Sequence, residues 1–158
     1  MSDRVPMTPS GYEALKLELS RLKTEERPKN VKEIEEALAH GDLSENAEYH
    51  AAKERQGHLA GRIAALEDKL ARAQVIENGR ETPDKVKFGV TVVLTDVDTD
   101  EEVSYRIVGE DESDPKQGLI SVTSPVARAL MNKGVDDEVV VKAPKGDRGF
   151  EILAIRYD

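Results

Sequence analysis

Residues 49–73, YHAAKERQGHLAGRIAALEDKLARA, decide the fold class. Tyr49, Ala52, Gln56, Leu59, Ile63, Leu66, Leu70 and Ala73 follow one another in alternating steps of three and four. That is the heptad spacing that keeps one seam of an α-helix facing a partner; only Gln56 is a conspicuously polar member. The partner lies upstream. Thr8-Pro9 reads as a helix start, with Thr8 as N-cap and Pro9 at the first helical position, and Tyr12, Leu15, Leu19 and Leu22 follow at helical spacing. Between the two seams, HGDLSEN at 40–46 breaks one helix and opens the next. The economical reading is an antiparallel coiled-coil hairpin that closes its seam within one chain, hence a monomer. Leu15, Leu19 and Leu22 would face Leu59, Ile63, Leu66 and Leu70.

One group is out of phase. On an ideal helix, Val31, Ile34 and Leu38 lie opposite Leu15, Leu19 and Leu22, with Pro28 between them. A kink or unwinding at Pro28 is the expected point of re-phasing. A helix over 9–40 would be about 48 Å long at 1.5 Å per residue, a long probe on a small body.

The chain changes character after residue 76. Leu, Ala, Glu and Lys dominate before it; β-branched runs cut by turn residues follow it. ENGRETPD carries Asn78-Gly79 and Pro83, so 77–83 reads as a linker between a helical domain, 1–76, and a second domain, 84–158. Strands are expected at Val86–Leu94, Val103–Val108, Leu119–Val122, Glu138–Lys142 and Phe150–Tyr157. Ser124-Pro125 opens one short helix, expected to run to Gly134. The fold class is α+β: the hairpin, then an antiparallel sheet packed on one helix.

Composition narrows the function. The 158 residues carry 32 Asp and Glu against 23 Lys and Arg, a net charge of −9, a poor balance for holding nucleic acid directly. The acidity is uneven: 33–48 holds Glu33, Glu35, Glu36, Asp42, Glu45 and Glu48 without a Lys or Arg. There is no cysteine, which excludes thiolate chemistry and fits a reducing cytoplasm. No 18-residue apolar stretch and no secretory leader are expected from the pattern.

The chemistry converges on one place. GxGxxG, GxxxxGK[ST], HExxH and GxSxG are all missing. His40, His50 and His58 stand ten and eight residues apart, a spacing that does not converge naturally on a metal. At 41–54, GDLSENAEYHAAKE puts Asp42 and Glu45 three residues apart, so that their carboxylates share a face if a helix begins there. Such a pair is a weak site for a hard cation, one that a partner's metal could complete. The same Asp42-x-x-Glu45 is also a capping box, with Asp42 capping the new helix and Gly41 ending the old one. Tyr49 reads as packing, and Lys53 and Arg55 as a solvated face.

These residues carry a resemblance. GDLSENAEYHAAKE followed by GRIAALEDKLARAQVI resembles the tip and second coiled-coil helix of the Gre family of bacterial transcript cleavage factors. GVTVVLTDVDTDEEVSYRIVGEDESDPKQGLISVTSPVARAL resembles that family's C-terminal, FKBP-like domain, and together the likeness spans 8–157. It implies a cytoplasmic accessory factor, itself no enzyme, whose partner is RNA polymerase. On this likeness the second domain docks at the rim of the polymerase secondary channel through Ser121, Ser124 and Pro125. The hairpin then reaches the backtracked RNA 3′ end. Asp42 and Glu45 match the family's acidic pair, which helps to hold a second Mg²⁺ in the polymerase active site; Lys53 and Arg55 would face the RNA. Three other readings stand beside this one: a channel-plugging inhibitor, a prolyl isomerase and a plain coiled-coil adaptor. With Phe88 and Phe150 the only phenylalanines and no Trp, an aromatic isomerase pocket is not expected.

Overall fold

In the computed structural model, residues 4–41, 46–77, 79 and 82–157 are described. They form two compact units: Tyr12–Ala73, and Arg4–Gly11 together with the chain from Gln74 onward. The grouping of Arg4–Gly11 with the second unit is one that the composition shift at 77–83 does not reveal.

The first unit is the antiparallel helical hairpin. Its outgoing arm is α1 (Pro9–Arg21), a π-helical segment (Leu22–Glu26) and α2 (Arg27–Leu38); α3 (Ala47–Ala71) returns. Leu15, Leu22, Ala52, Ile63 and Leu66 are buried in the seam, with Leu66 fully enclosed, each full burial of a large aliphatic contributing about 1.5–3 kcal/mol. Ala73, the last expected seam position, leaves the helix and enters a strand.

The re-phasing takes place at Leu22–Glu26, ahead of Pro28, and it turns inward a different set of residues. Asn30 and Ala37 are buried, whereas Val31 and Leu38 are 44% and 45% exposed. A π turn inserts one residue into the α-helical ladder. The helix therefore carries Asn30 onto the azimuth of Leu22 and leaves Val31 and Leu38 outside. Pro28 lies inside a continuous helix, since Arg21, Glu26 and Arg27 all have helical backbone; its missing N–H and its ring disturb the carbonyl ladder one turn back, which is where the π segment sits.

The second unit holds two sheets. β1 (Val5–Met7) and β2 (Ala73–Val75) form a two-stranded sheet, too short to register as periodicity. The larger sheet has the order β5-β4-β3-β7-β6, from β3 (Thr91–Asp96), β4 (Glu102–Val108), β5 (Leu119–Ser121), β6 (Glu138–Val141) and β7 (Arg148–Arg156). It is mixed: β5 runs parallel to β4, and the other pairings are antiparallel. Val92, Leu94, Ile107, Ile152 and Ile155 pack with Ala127 and Leu130 of α4 (Pro125–Leu130) in one core.

Two expected boundaries shift for backbone reasons. Gly89 adopts a left-handed φ of 89°, so the run from Val86 becomes sheet only at Thr91. Helix α4 stops at Leu130, short of Gly134. The chain turns at Asn132 (φ 67°), and its backbone is taken by Val86: Asn132 N donates to Val86 O at 2.9 Å, and Val86 N to Lys133 O at 2.8 Å.

Candidate functional site at the end of the hairpin

The last turn of α2 and the first turn of α3 are joined by Asn46. It precedes α3 with extended backbone, and its Oδ1 accepts from Tyr49 N at 3.0 Å. Its Nδ2 donates to Ala37 O at 2.7 Å. One amide thus satisfies an orphan donor at the start of α3 and adds a second bond to Ala37 O, which also accepts from His40 N at 3.1 Å. Gly41, at φ 107°, follows α2 in a conformation that favours glycine. Asp42 and Glu45 lie outside the described residues. The cap of α3, however, is Asn46 and not Asp42. Asn46 is a cap-forming residue type, but the Asp42-x-x-Glu45 spacing points to Asp42 instead.

The two cations carried over as RNA-facing have protein partners. Arg55 is bonded through Nη2 to Glu33 of α2, and Lys53 Nζ donates to Gln56 Oε1 at 2.7 Å. Arg55 belongs to a set of cross-hairpin pairs. Arg62 forks onto Glu18 at 2.7 and 2.9 Å, and Lys23 reaches Glu67 at 3.3 Å. The hydrogen bond from Arg62 holds the Glu18 carboxyl below its ordinary value of 4.5. Exposed pairs of this kind contribute about 0.2–1 kcal/mol each, so they tune the alignment of a hairpin whose apolar seam does most of the stabilising.

The histidines stay apart: His50 sits edge-on to Tyr49, with ring centroids 5.7 Å apart, and His58 approaches Glu54 at 3.7 Å. Among the described residues, no group of three or more His, Asp and Glu is placed to hold a metal. No helix among them is long and apolar enough to cross a membrane.

In the second unit, Ser121, Ser124 and Pro125 come together at the exit of β5. Ser124 Oγ caps α4, accepting from Ala127 N at 3.2 Å, with Pro125 in the first turn. Ser121 Oγ bonds Thr123 Oγ1 at 2.8 Å, and Thr123 Oγ1 reaches Glu110 Oε1 at 3.1 Å. The turn is therefore held from both sides, with Thr123 and Pro125 exposed. Phe150 is buried in the core and Phe88 packs against it, so both phenylalanines are spent on the sheet and its helix.

Each half of the chain matches a family of its own. Residues 5–75 match the family described as transcription elongation factor, N-terminal, and residues 81–157 that described as transcription elongation factor, GreA/GreB, C-term. The transcription elongation factor GreA of Hyphomonas neptunium is 56% identical over 98% of this chain and 99% of its own. That of Syntrophotalea carbinolica is 58% identical over 99% of each. A solved structure, GreA factor homolog 1 of Thermus thermophilus, is similar over 97% of this chain and 99% of its own, at 31% identity and a TM-score of 0.45. Two family matches that together take in both halves of the molecule, and full-length relatives above 50% identity, lead to one conclusion: the chain belongs to the GreA/GreB family of transcription elongation factors.

Proposed function

We propose that this chain is an accessory factor of RNA polymerase, active in the cytoplasm, that promotes hydrolysis of a backtracked RNA 3′ end by the polymerase's own active site. The second unit docks at the rim of the secondary channel through the turn holding Ser121, Ser124 and Pro125. The hairpin enters the channel and brings Asp42 and Glu45 to the reacting phosphodiester. The observation that carries this reading is the cap at Asn46. Because an uncharged amide caps α3, starting that helix does not require either of the two carboxylates just upstream.

The donor set suits Mg²⁺. A hard cation takes oxygen ligands, often one or two carboxylates with water completing the shell, and this chain has no thiol to offer a softer metal. Asn46 Oδ1 is committed to Tyr49 N, which leaves Asp42 and Glu45 as the pair that would hold the ion jointly with the polymerase. When bound, Mg²⁺ stabilises the charge that builds on the phosphodiester oxygens and acidifies bound water.

The chain's own residues do three things. Asp42 and Glu45 add negative charge where the polymerase needs a further cation. The seam from Leu15 to Leu66 keeps the carrier stiff. The net charge of −9 discourages independent binding to nucleic acid, so RNA is engaged only where the polymerase presents it.

The test is a stalled, backtracked elongation complex incubated with and without the protein and scored for shortened RNA that resumes extension. Unchanged RNA would reject the reading; slowed extension without cleavage would mark a channel-plugging inhibitor.

A further inference from the structure

Helix α2 carries its charges in two blocks. Arg27, Lys29 and Lys32 occupy its N-terminal half, Glu33, Glu35 and Glu36 its C-terminal half. Its last turn, at the negative end of the outgoing helix, holds no basic residue, although the dipole favours a cation there. The hairpin compensates only part of this. Glu33 has Arg55, while Arg27, Lys29, Lys32, Glu35 and Glu36 have no side-chain partner among the described residues. On the same helix, Val31 and Leu38 face outward, and Val31 lines a groove of about 600 Å³ between α2 and α3, with Leu59, Ala60 and Ala64 as its aliphatic wall and Arg27 and Lys53 on its rim.

We propose that this face pairs with itself: two copies associate weakly through their α2 helices, packed antiparallel about a two-fold axis at Val31. The arithmetic of the helix points to that occupant. In an antiparallel pair centred on residue 31, a residue four positions before the centre meets one four positions after it. Arg27 of each copy therefore faces Glu35 of the other, and Val31 packs on Val31. By symmetry the Arg27–Glu35 contact is made twice, and the two helix dipoles oppose. The contact is isologous, so it closes at two copies.

Other occupants satisfy only half of the face. A nucleic acid strand would meet Arg27 and Lys53 but be repelled by Glu35 and Glu36, and the groove offers no aromatic ring for a base to stack on. A uniformly acidic helix would likewise leave the acidic half unmatched. The intrachain seam is untouched, so each copy folds alone and pairs only when concentrated. A paired hairpin is too thick to share a channel with a polymerase, so pairing would hold the factor in reserve. That consequence rests on the function proposed above; the pairing does not.

The test uses the full chain without polymerase, so its failure is distinct from failure of the functional reading. Sedimentation equilibrium from roughly 10 to 500 micromolar at low salt should show the mass rising toward two copies, and about 0.5 M salt should reverse it. Arg27→Glu and Glu35→Arg should each weaken pairing at least about tenfold, with helix content by circular dichroism unchanged. The double variant Arg27→Glu/Glu35→Arg should restore it. A single-copy mass at every concentration overturns the proposal, as does pairing indifferent to both reversals or a double variant as weak as either single. A chain that stays single yet is retained on single-stranded RNA through Arg27 assigns these cations to phosphate and overturns it too.

Discussion

Asn30, 3% exposed in the hairpin seam, donates its side-chain amide to the carbonyl oxygen of Ala52 at 2.9 Å. The bond fixes which turn of α2 faces which turn of α3, the role a single buried amide plays in coiled-coil register. Asn30 reaches that position through the π segment. At 3.6 residues per turn, the eight residues from Leu22 to Asn30 would overshoot Leu22's azimuth by about 80°. One inserted residue removes about 100° of that and leaves the small drift of an ordinary heptad.

The insertion makes a deletion testable. In a Pro28→Ala background, where no ring opposes the carbonyls one turn back, removing Thr24, exposed within the π segment, should convert Leu22–Glu26 into regular α-helix with Asn30 and Ala37 still inward. Thermal unfolding should stay cooperative, with a midpoint within a few degrees of the parent, since the loss is of about 1 kcal/mol or less. Removing Lys32 from regular α2 should rotate Ala37 out of the seam and cost several times as much. Equal damage from both would mean that the π segment is not a one-residue insertion.

Glu112 and Thr8 predict a second effect, inside the second unit. One carboxylate receives Thr8 N at 3.0 Å, Thr8 Oγ1 and Gly109 N at 3.1 Å, while Thr8 Oγ1 accepts from Gly11 N at 3.1 Å. Glu112→Ala leaves the buried Thr8 amide without its acceptor and the hydroxyl with only Ser10 Oγ at 3.2 Å, a cost of about 1–3 kcal/mol. Hydrogen exchange should speed up at Thr8 and Gly109 ahead of the rest of the unit. Gly11→Ala should act in the same way, because a Cβ there would lie 2.2 Å from the Glu112 carboxyl carbon.

Acid should find the sheet through Asp96. The Arg148 guanidinium, with Asp98 N at 2.9 Å and Thr99 N at 3.3 Å, holds its carboxyl below the ordinary 3.8. A carboxyl depressed in the folded state adds stability that is complete above its unfolded pKa and is lost as pH falls through the folded one. Stability should therefore be flat with respect to Asp96 above about pH 5 and decline below about pH 4. Asp96→Asn should shallow that decline in urea titrations. An identical acid limb in the variant would show that Asp96 does not set it.

The sequence disclosed the hairpin because a seam of Leu and Ile at steps of three and four has few other uses, and it disclosed the strands because β-branched runs ended at turns. It concealed what depends on the third dimension. Asn30 is polar and looks exposed by type, and only the π insertion turns it inward. β1 and β2 have three residues each, too few to carry a period. The parallel β4–β5 pairing depends on how the chain crosses between them, which no local pattern records. At the hairpin end, Asp42, Ser44 and Asn46 all have cap chemistry, and only geometry chooses Asn46.

That choice sharpens the test of the acidic pair. If Asp42 acts through its charge, Asp42→Asn should leave helix content and melting temperature unchanged, since α3 is capped by Asn46 and Asn caps as well as Asp in any case. Stimulated RNA cleavage should nevertheless fall at least about tenfold, equivalent to about 1.4 kcal/mol of transition-state stabilisation, while polymerase binding persists. Raised Mg²⁺ should recover part of the activity, because mass action offsets a weakened site. Asn46→Ala should show the opposite profile. It strands Tyr49 N and removes one of the donors to Ala37 O, costs about 1–2 kcal/mol of helix stability and frays the hairpin end, and its cleavage loss should be insensitive to Mg²⁺. Should Asp42→Asn cleave like the parent, or lose activity only together with helix content, the carboxylates have no part in holding metal.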